Sequence, residues 1–286
     1  MVALSTRSKI RIAYGLYGAV KLARLATGRT GDDVICQRKG LRWKLNLQEG
    51  IDLAIYLFGE FEKQTAKAIR RALKPGMTVF DIGANSGAHA LPMAKLVGPQ
   101  GRVYAFEPTE QAYDRLLANK ALNPSLKDIL IPVKTILTDA TGARPEKIYS
   151  SWKIANSEDS AHPHHGGSSF SVESTPEMTL DEFVETSKIS QLDFIKMDVD
   201  GYEVKVLKGA AKTLAKFRPK MIIEFSPYVL LEHGNSFSEY VELLASYDYR
   251  FFAESGRALP ARAEELASMI PKFGSMNVLV SSDGAL

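Results

Sequence analysis

The sequence predicts a doubly wound α/β domain: a mostly parallel sheet of about seven strands with helices on both faces, preceded by an N-terminal helix and β-hairpin extension. Three observations predict it. Apolar, strand-like runs alternate with helix-like stretches from about residue 61 to residue 280. A glycine-bearing turn, Asp81-Ile82-Gly83-Ala84-Asn85-Ser86-Gly87, joins one such strand to the next helix. Glu107 ends the following strand 24 residues after Gly83, the distance at which a strand–helix unit brings the chain back to a neighbouring strand end.

Bulk composition is consistent with one large domain, since 286 residues with 45% hydrophobic content fill a sizeable core. A net charge of +3 with 24% charged residues is too mild a basic excess to indicate a nucleic-acid partner, and none is expected. Residues 1–50 read as a basic extension and residues 51–286 as the main domain. In the extension Arg7, Lys9, Arg11, Lys21, Arg24 and Arg29 all precede the first acid, Asp32. Its apolar stretch, Ile12 to Val20, contains two glycines and two tyrosines and falls short of the roughly 20 apolar residues that span a bilayer. It is also too weakly hydrophobic, and too poor in a small-residue cleavage site, to read as an export signal. The expectation is a partly helical surface segment, with contact to an anionic membrane face as the sharper reading. The lone cysteine, Cys36, cannot form an internal disulfide and fits a reducing, cytoplasmic setting.

Val34–Cys36 and Leu41–Leu47 read as strands about the turn Arg38-Lys39-Gly40. Helical spacing runs from about Phe61 to Leu73 and stops at Lys74-Pro75-Gly76. Met77–Asp81 lacks polar alternation apart from Thr78, the mark of a strand covered on both faces. The helix after the glycine turn shows Leu91, Met93, Ala94 and Val97 on its apolar face and ends at Gly98. Arg102–Phe106 is the second strand, Ala112–Leu122 the second helix and Ile129–Ile136 the third strand. Thr141–Ser174 interrupts this rhythm with a long polar insertion carrying His162, His164, His165, Gly166 and Gly167, and long loops in compact domains are often functional. Alternation resumes with a helix at Thr179–Thr186, a strand at Phe194–Asp198, a helix at Glu203–Phe217 and a strand at Met221–Phe225. A helix near Phe237–Ser246 and strands near Arg250–Phe252 and Asn277–Val280 complete the pattern.

The chemistry starts at the glycine turn. Gly83 and Gly87 let the backbone turn tightly and approach a ligand, and the helix that follows offers free N–H groups there. A carboxylate at Glu107 can accept hydrogen bonds from both hydroxyls of a ribose. Together they point to an adenosine-type ligand, which leaves NAD and S-adenosylmethionine both open.

The residues from roughly Phe58 to Val280 resemble the FkbM-type methyltransferases. The likeness is carried by Phe61-Glu62, Val79-Phe80-Asp81-Ile82-Gly83-Ala84-Asn85-Ser86-Gly87, Val103-Tyr104-Ala105-Phe106-Glu107-Pro108, Gly166-Gly167-Ser168-Ser169 and Thr179-Leu180-Asp181-Glu182-Phe183. Its most specific stretch is Phe194-Ile195-Lys196-Met197-Asp198-Val199-Asp200-Gly201-Tyr202-Glu203, continued by Val206-Leu207-Lys208-Gly209-Ala210. The resemblance implies a class I, Rossmann-like methyltransferase fold with an antiparallel last strand and S-adenosyl-L-methionine as cofactor. It implies that Asp81, Gly83, Asn85, Ser86 and Gly87 surround the methionine part and that Glu107 holds the ribose. Asp139 would then reach the adenine amino group, although Asp139-Ala140-Thr141-Gly142 also reads as an ordinary turn.

Ligands of open α/β sheets lie beyond the carboxyl ends of the strands, which places Asp198 and Glu224 where a methyl acceptor arrives. An alcohol needs a positioned base to become a good nucleophile; Asp198 is the first candidate and Glu203 the second. Glu203 also starts a helix, where an acid complements the dipole, and Asp200-Gly201 has turn chemistry that Asp198 can support. Asp198 and Glu224 could share Mg²⁺ through oxygen ligands, but no metal is assigned. The histidines of the insertion read first as a solvated loop; the alternative is acceptor contact through His164, His165 and Ser168. His89 and His233 read as packing or helix-end residues.

The expected activity is O-methylation of a hydroxyl on a sugar, glycan or small natural-product-like acceptor. The rivals are a nucleic-acid methyltransferase, a nicotinamide-dependent oxidoreductase and a non-catalytic adenosine-ligand scaffold. Ser226-Pro227-Tyr228 faintly matches the Pro-Tyr element of base-methylating enzymes, but it follows the wrong strand.

Overall fold

The computed structural model describes residues 6–139, 147–150 and 168–285. The arm is helix α1 (Thr6–Ala26), which rests on the rest of the protein through Ala13, Tyr17 and Val20. The expected hairpin follows as β1 (Asp33–Arg38) and β2 (Leu41–Asn46), antiparallel with Cys36 opposite Trp43. Alternation along β2 turns Leu41, Trp43 and Leu45 inward, and they join the same core as Val79, Leu91 and Phe194 of the main domain. The core therefore continues across residue 50. Helix α2 (Gly50–Phe58) has no counterpart among the expected elements. Its run Gly50-Ile51-Asp52-Leu53-Ala54-Ile55-Tyr56-Leu57-Phe58 is apolar almost throughout and so carries no helical period in sequence.

From α3 (Lys63–Ala72) onward the alternation is as expected, in β3 (Thr78–Ile82), α4 (Ala90–Val97), β4 (Arg102–Phe106) and α5 (Glu110–Ala121). The third strand is shorter than Ile129–Ile136 suggested. β5 (Leu130–Val133) ends before Lys134, and β6 (Ile136–Leu137) leaves the sheet to pair in parallel with β9 (Glu177–Met178). Between them β7 (Lys147–Ser150) and β8 (Ser168–Ser171) pair antiparallel within the insertion. Helix α6 (Leu180–Thr186) opens on a capping box: the Thr179 hydroxyl accepts from Glu182 N–H at 3.0 Å, and the Glu182 carboxylate accepts from Thr179 N–H at 2.7 Å.

Strand β10 (Phe194–Met197) precedes two helices, α7 (Glu203–Lys208) and α8 (Ala211–Phe217), where one was expected. The break has a packing cause. A Cβ on Gly209 would lie 2.0 Å from the Thr138 carbonyl oxygen, so the chain passes flush against the segment after β6. β11 (Lys220–Phe225), α9 (Pro227–Glu232), α10 (Phe237–Ala245), β12 (Arg250–Ala253), α11 (Ala263–Ser268) and β13 (Met276–Ser281) complete the chain.

The main sheet has seven strands in the order β12-β13-β11-β10-β3-β4-β5. β13 runs antiparallel to both neighbours, while β11, β10, β3, β4 and β5 are parallel. Pro132 is tolerated because β5 is an edge strand. On one face Phe183 of α6 stacks edge-on against Phe80, Tyr104 and Phe106, with ring centroids 4.8–5.7 Å apart. β3 and β10 lie side by side at the centre, with Ile82 opposite Met197. Their carboxyl ends therefore open at the same place.

Candidate active site

The glycine turn after β3 sits hard against the end of β10. Gly83 has φ +82° and a Cβ there would lie 1.9 Å from the carbonyl oxygen of Asp198. Gly87, at φ +90°, lets Leu91 and Leu116 close in from α4 and α5. Asn85 is left-handed at φ +48°, a conformation asparagine bears better than most residues. Its side chain accepts from Ser86 N–H at 2.7 Å and its own N–H donates to Glu107 Oε2 at 2.9 Å. The other oxygen of Glu107 accepts from the Thr109 N–H at 2.9 Å and from the Thr109 hydroxyl. Glu107 is thus fixed at the end of β4, with burial raising its carboxyl and those bonds opposing the rise.

Asp81, one turn position behind Gly83, is buried with both carboxyl oxygens lacking a hydrogen-bond partner among the described residues. Burial raises its carboxyl, and the Lys196 and His89 charges act against the shift. A second network grips the turn from behind. Asp52 of α2, fully buried, accepts from Asn46 N–H at 2.7 Å, from Arg115 of α5 at 2.5 Å, and lies 3.5 Å from the Ser86 hydroxyl. Burial pushes its carboxyl up to about 6 against the pull of Arg115. Asn119 completes the clamp by accepting from Lys44 N–H of the hairpin and donating to the Ser86 carbonyl at 3.0 Å.

A cavity of about 1020 Å³ runs over this surface. Its lining includes Ile12 and Leu16 of α1, Leu57 and Phe58 of α2, Gly83, Asn85 and Glu107 around the glycine turn, and Asp198, Asp200 and Glu224. Asp198 directly follows β10, its N–H bonded to the Ile82 carbonyl at 3.0 Å. Its carboxylate lies 3.3 Å from the ammonium of buried Lys196. Burial lowers the pKa of that ammonium, but the charges of Asp198 and Asp81 outweigh it and the net shift is upward. Asp200 is left-handed at φ +48°. Glu203, in the first turn of α7, folds back to accept from Val199 N–H at 3.0 Å.

One carboxyl oxygen each from Asp198, Glu203 and Glu224 lies within 4.8 Å of the others. That is close enough to hold a cation in common, or to force proton sharing. Burial, then the charge of Asp198, pushes Glu203 up to about 7. Burial and Asp198 likewise hold Glu224 and Asp200 well above the carboxylate range.

The sign of the pH effect follows from the raised value of Glu203. Below its ordinary value of 4.5 both folded and unfolded chains carry the proton. Between there and about 7 only the unfolded chain gives it up, so stability falls as pH rises. The loss is on the order of 3 kcal/mol once both states are ionised. Glu203→Gln is therefore expected to melt with a shallower fall between pH 5 and pH 8 than the parent, in thermal scans of both proteins. Parallel melting curves would refute the assignment.

Of the residues singled out in the sequence, Gly83, Asn85, Glu107, Asp198 and Glu224 line the cavity, while Asp81, Ser86, Gly87 and Glu203 lie just behind its wall. Asp139 is partly buried, 3.4 Å from the Thr138 hydroxyl, and the adjoining wall is formed by Thr135, Ile136 and Leu137. His164 and His165 fall outside the described residues, and Ser168 is placed only as the first residue of β8. Sequence reasoning missed Lys196 as a partner for Asp198, and Asp52 and Arg115 as the clamp. Their signals were a lysine inside an apolar strand and an aspartate inside an apolar helix. His89, read as packing, lines the cavity with Nε2 3.6 Å from Glu62 Oε2.

Several known proteins are similar to this chain. The family model of the methyltransferase FkbM domain matches residues 81–251. A hexuronic acid methyltransferase, AglP of Haloferax volcanii, is 24% identical over 190 residues, 66% of this chain and 73% of that protein. The 2-O-methyltransferase NoeI of Sinorhizobium fredii is 25% identical over 184 residues, 61% of this chain and 74% of that one. Among solved structures, M. jannaschii TYW2 in complex with AdoMet aligns over 88% of this chain and 85% of its own, at 16% identity and a TM-score of 0.41.

Proposed function

This chain belongs to the FkbM methyltransferase family and uses S-adenosylmethionine, and from that premise we propose that it methylates a hydroxyl of a saccharide or saccharide-bearing acceptor. The observation that carries the reading is the position of Asp198. It directly follows the central strand, lines the cavity, and has its carbonyl packed against Gly83 of the glycine turn. The donor site fits the cofactor: the backbone of Gly83 borders the cavity beside Asn85 and Glu107, and Asp81 holds buried carboxyl oxygens in need of a partner. In this reading Asp81 and Asn85 bind the amino-acid part, Ser86, expected from the sequence as a further contact, holds the turn from behind through Asp52, and Glu107 binds the ribose, while Asp139 stays near the adenine. Bound, the cofactor supplies a methyl group on a positively charged sulfur.

The rest is work for side chains of this protein. Asp198 accepts the hydroxyl proton as the methyl group passes from sulfur to the acceptor oxygen, and Lys196, 3.3 Å away, keeps the carboxylate oriented beside its acidic neighbours. Glu203 braces the turn through Val199 N–H and is the second candidate base. Glu224 orients the acceptor, with His164, His165 and Ser168 as further contacts from the insertion. The names of the two relatives, one specifying a hexuronic acid and one a 2-O position, support an oxygen on a sugar as the acceptor atom. Incubation with S-adenosylmethionine and a glycan panel tests this: a product bearing one additional methyl at oxygen is expected, and transfer to nucleic acid alone overturns it.

Peripheral contact with an anionic membrane forms part of the proposal. Residues 1–31 contain six cations and no acid, and Leu22 and Leu25 of α1 are 70% and 50% exposed among them. No helix among the described residues is long and apolar enough to cross a membrane, so the contact would be interfacial. Flotation with vesicles containing phosphatidylglycerol, lost in high salt and absent with phosphatidylcholine alone, is the expected result. Equal flotation with both lipids removes the electrostatic argument.

A further inference from the structure

Phe61 and Glu62 begin the run of motifs that resembles the family, and both line the cavity. Glu62 precedes α3 in a left-handed conformation, φ +44°, which is sparsely populated for a residue with a side chain. Its side chain makes no capping bond to α3 that would offset the strain. The carboxylate is instead held across three elements. Oε2 accepts from the Asn277 amide of β13 at 3.0 Å, lies 3.2 Å from the Thr65 hydroxyl of α3, and lies 3.6 Å from Nε2 of His89, just ahead of α4. Strained residues fixed by their surroundings gather at ligand clamps.

His89 supplies a second, independent sign. It is 6% exposed, and its Nε2 has no hydrogen-bond partner among the described residues, since 3.6 Å to Glu62 is too long for one. A buried polar atom left in that state calls for a functional reason. The ring packs on Phe61 with centroids 5.8 Å apart, which fixes it beside the carboxylate. His89 also lies two residues past Gly87 of the glycine turn, and the charge of Glu62 acts on Lys196 of β10. Glu62 therefore stands on the β3 and β10 side of the cavity, whereas Glu107 follows β4, across β3 from β10. A ribose at Glu107 leaves this side for the amino-acid part of the cofactor. Asp81 is fully buried behind the wall, while the Glu62 side chain is 26% exposed on it.

We infer that Glu62 receives the α-ammonium of S-adenosylmethionine, and that His89 is a positioning residue that holds the Glu62 carboxylate in place. The inference rests on the cofactor reading of the site above and is independent of the acceptor. A carboxylate that meets an ammonium makes a charge-assisted hydrogen bond, stronger than a neutral one. Asn277 and Thr65 carry no charge, so they fix the carboxylate without neutralising it.

The test is the affinity of the full-length protein for three adenosine ligands, measured by competition at fixed neutral pH and salt. S-adenosylmethionine carries both ammonium and sulfonium, S-adenosylhomocysteine keeps the ammonium but lacks the sulfonium, and methylthioadenosine lacks the whole amino-acid part. Glu62→Gln is expected to weaken the first two equally, by about tenfold or more, and the third by less than about threefold. Glu62→Asp draws the charge back by one carbon and is expected to show the same selective loss, so poor folding of one variant leaves the other to decide. His89→Phe keeps the packing on Phe61 and removes the nitrogen. A smaller loss confined to the same two ligands is expected, and His89→Gln, which restores a nitrogen, recovers it. Equal weakening of all three ligands by the Glu62 variants gives Glu62 a purely structural role and overturns the inference. Unchanged affinities overturn it too, as does a loss for S-adenosylmethionine alone, which assigns the charge to the sulfonium. Those outcomes leave the cofactor reading intact; a parent protein that binds none of the three overturns that reading and this inference with it.

Discussion

Asp198→Asn is expected to lower the single-turnover rate of methyl transfer by about 10²–10⁴-fold, the usual contribution of a positioned base, while S-adenosylmethionine affinity stays within about threefold. The amide keeps the size and the carbonyl oxygen of the side chain but cannot take up the hydroxyl proton. Its backbone N–H still reaches Ile82, and its backbone carbonyl still packs against Gly83, because neither contact uses the side chain. The substitution leaves the buried ammonium of Lys196 beside a neutral group, so some loss of stability accompanies it. Melting and cofactor titration on the same preparation separate that loss from the chemical one. A variant that turns over at nearly the parental rate removes Asp198 as the base and moves the role to Glu203.

Gly83→Ala is expected to abolish measurable cofactor binding and to lower the melting temperature. Two costs combine. The left-handed φ of +82° costs a residue with a side chain roughly 1–2 kcal/mol. The added Cβ would also stand 1.9 Å from the Asp198 carbonyl oxygen, which is backbone and cannot swing aside. Either the glycine turn or the end of β10 must move, and both border the cavity. Gly76→Ala is the control, since Gly76 has φ +87° with open space around its missing Cβ. It pays the torsional cost alone and should bind S-adenosylmethionine normally. Calorimetric titration of both variants checks the pair, and parental affinity in Gly83→Ala would show that the contact yields.

Much of the fold was legible because buried parallel strands and their covering helices leave strong local marks. Met77–Asp81 differs from β3 by one residue at each end, and Arg102–Phe106 coincides with β4. Legibility failed where local pattern and packing part company. The break between α7 and α8 exists because Gly209 meets the Thr138 carbonyl, a contact 71 residues away in the chain. The early end of β5 and the transfer of Ile136–Leu137 to β9 follow from pairing with a strand 41 residues later, which no window around Ile136 contains.

The sequence by itself determined the order of the strands and helices, the glycine turn, the acid at the end of the second strand and the acidic run after the fourth. Each is written in residue type and spacing, because a φ of +82° demands glycine and a covered strand demands apolar side chains. Only the tertiary structure decided which charges face one another. Asp198, Glu203 and Glu224 converge because β10 and β11 end side by side and α7 folds back over the turn. Lys196 reaches Asp198 because residues two apart on a strand lie on one face. Electrostatic interaction depends on distance through space and on burial, neither of which chain spacing encodes. The carboxylate candidates could therefore be named from sequence, whereas their close approach, and the upward shifts that burial and the charge of Asp198 impose on Glu203 and Glu224, arose only on folding.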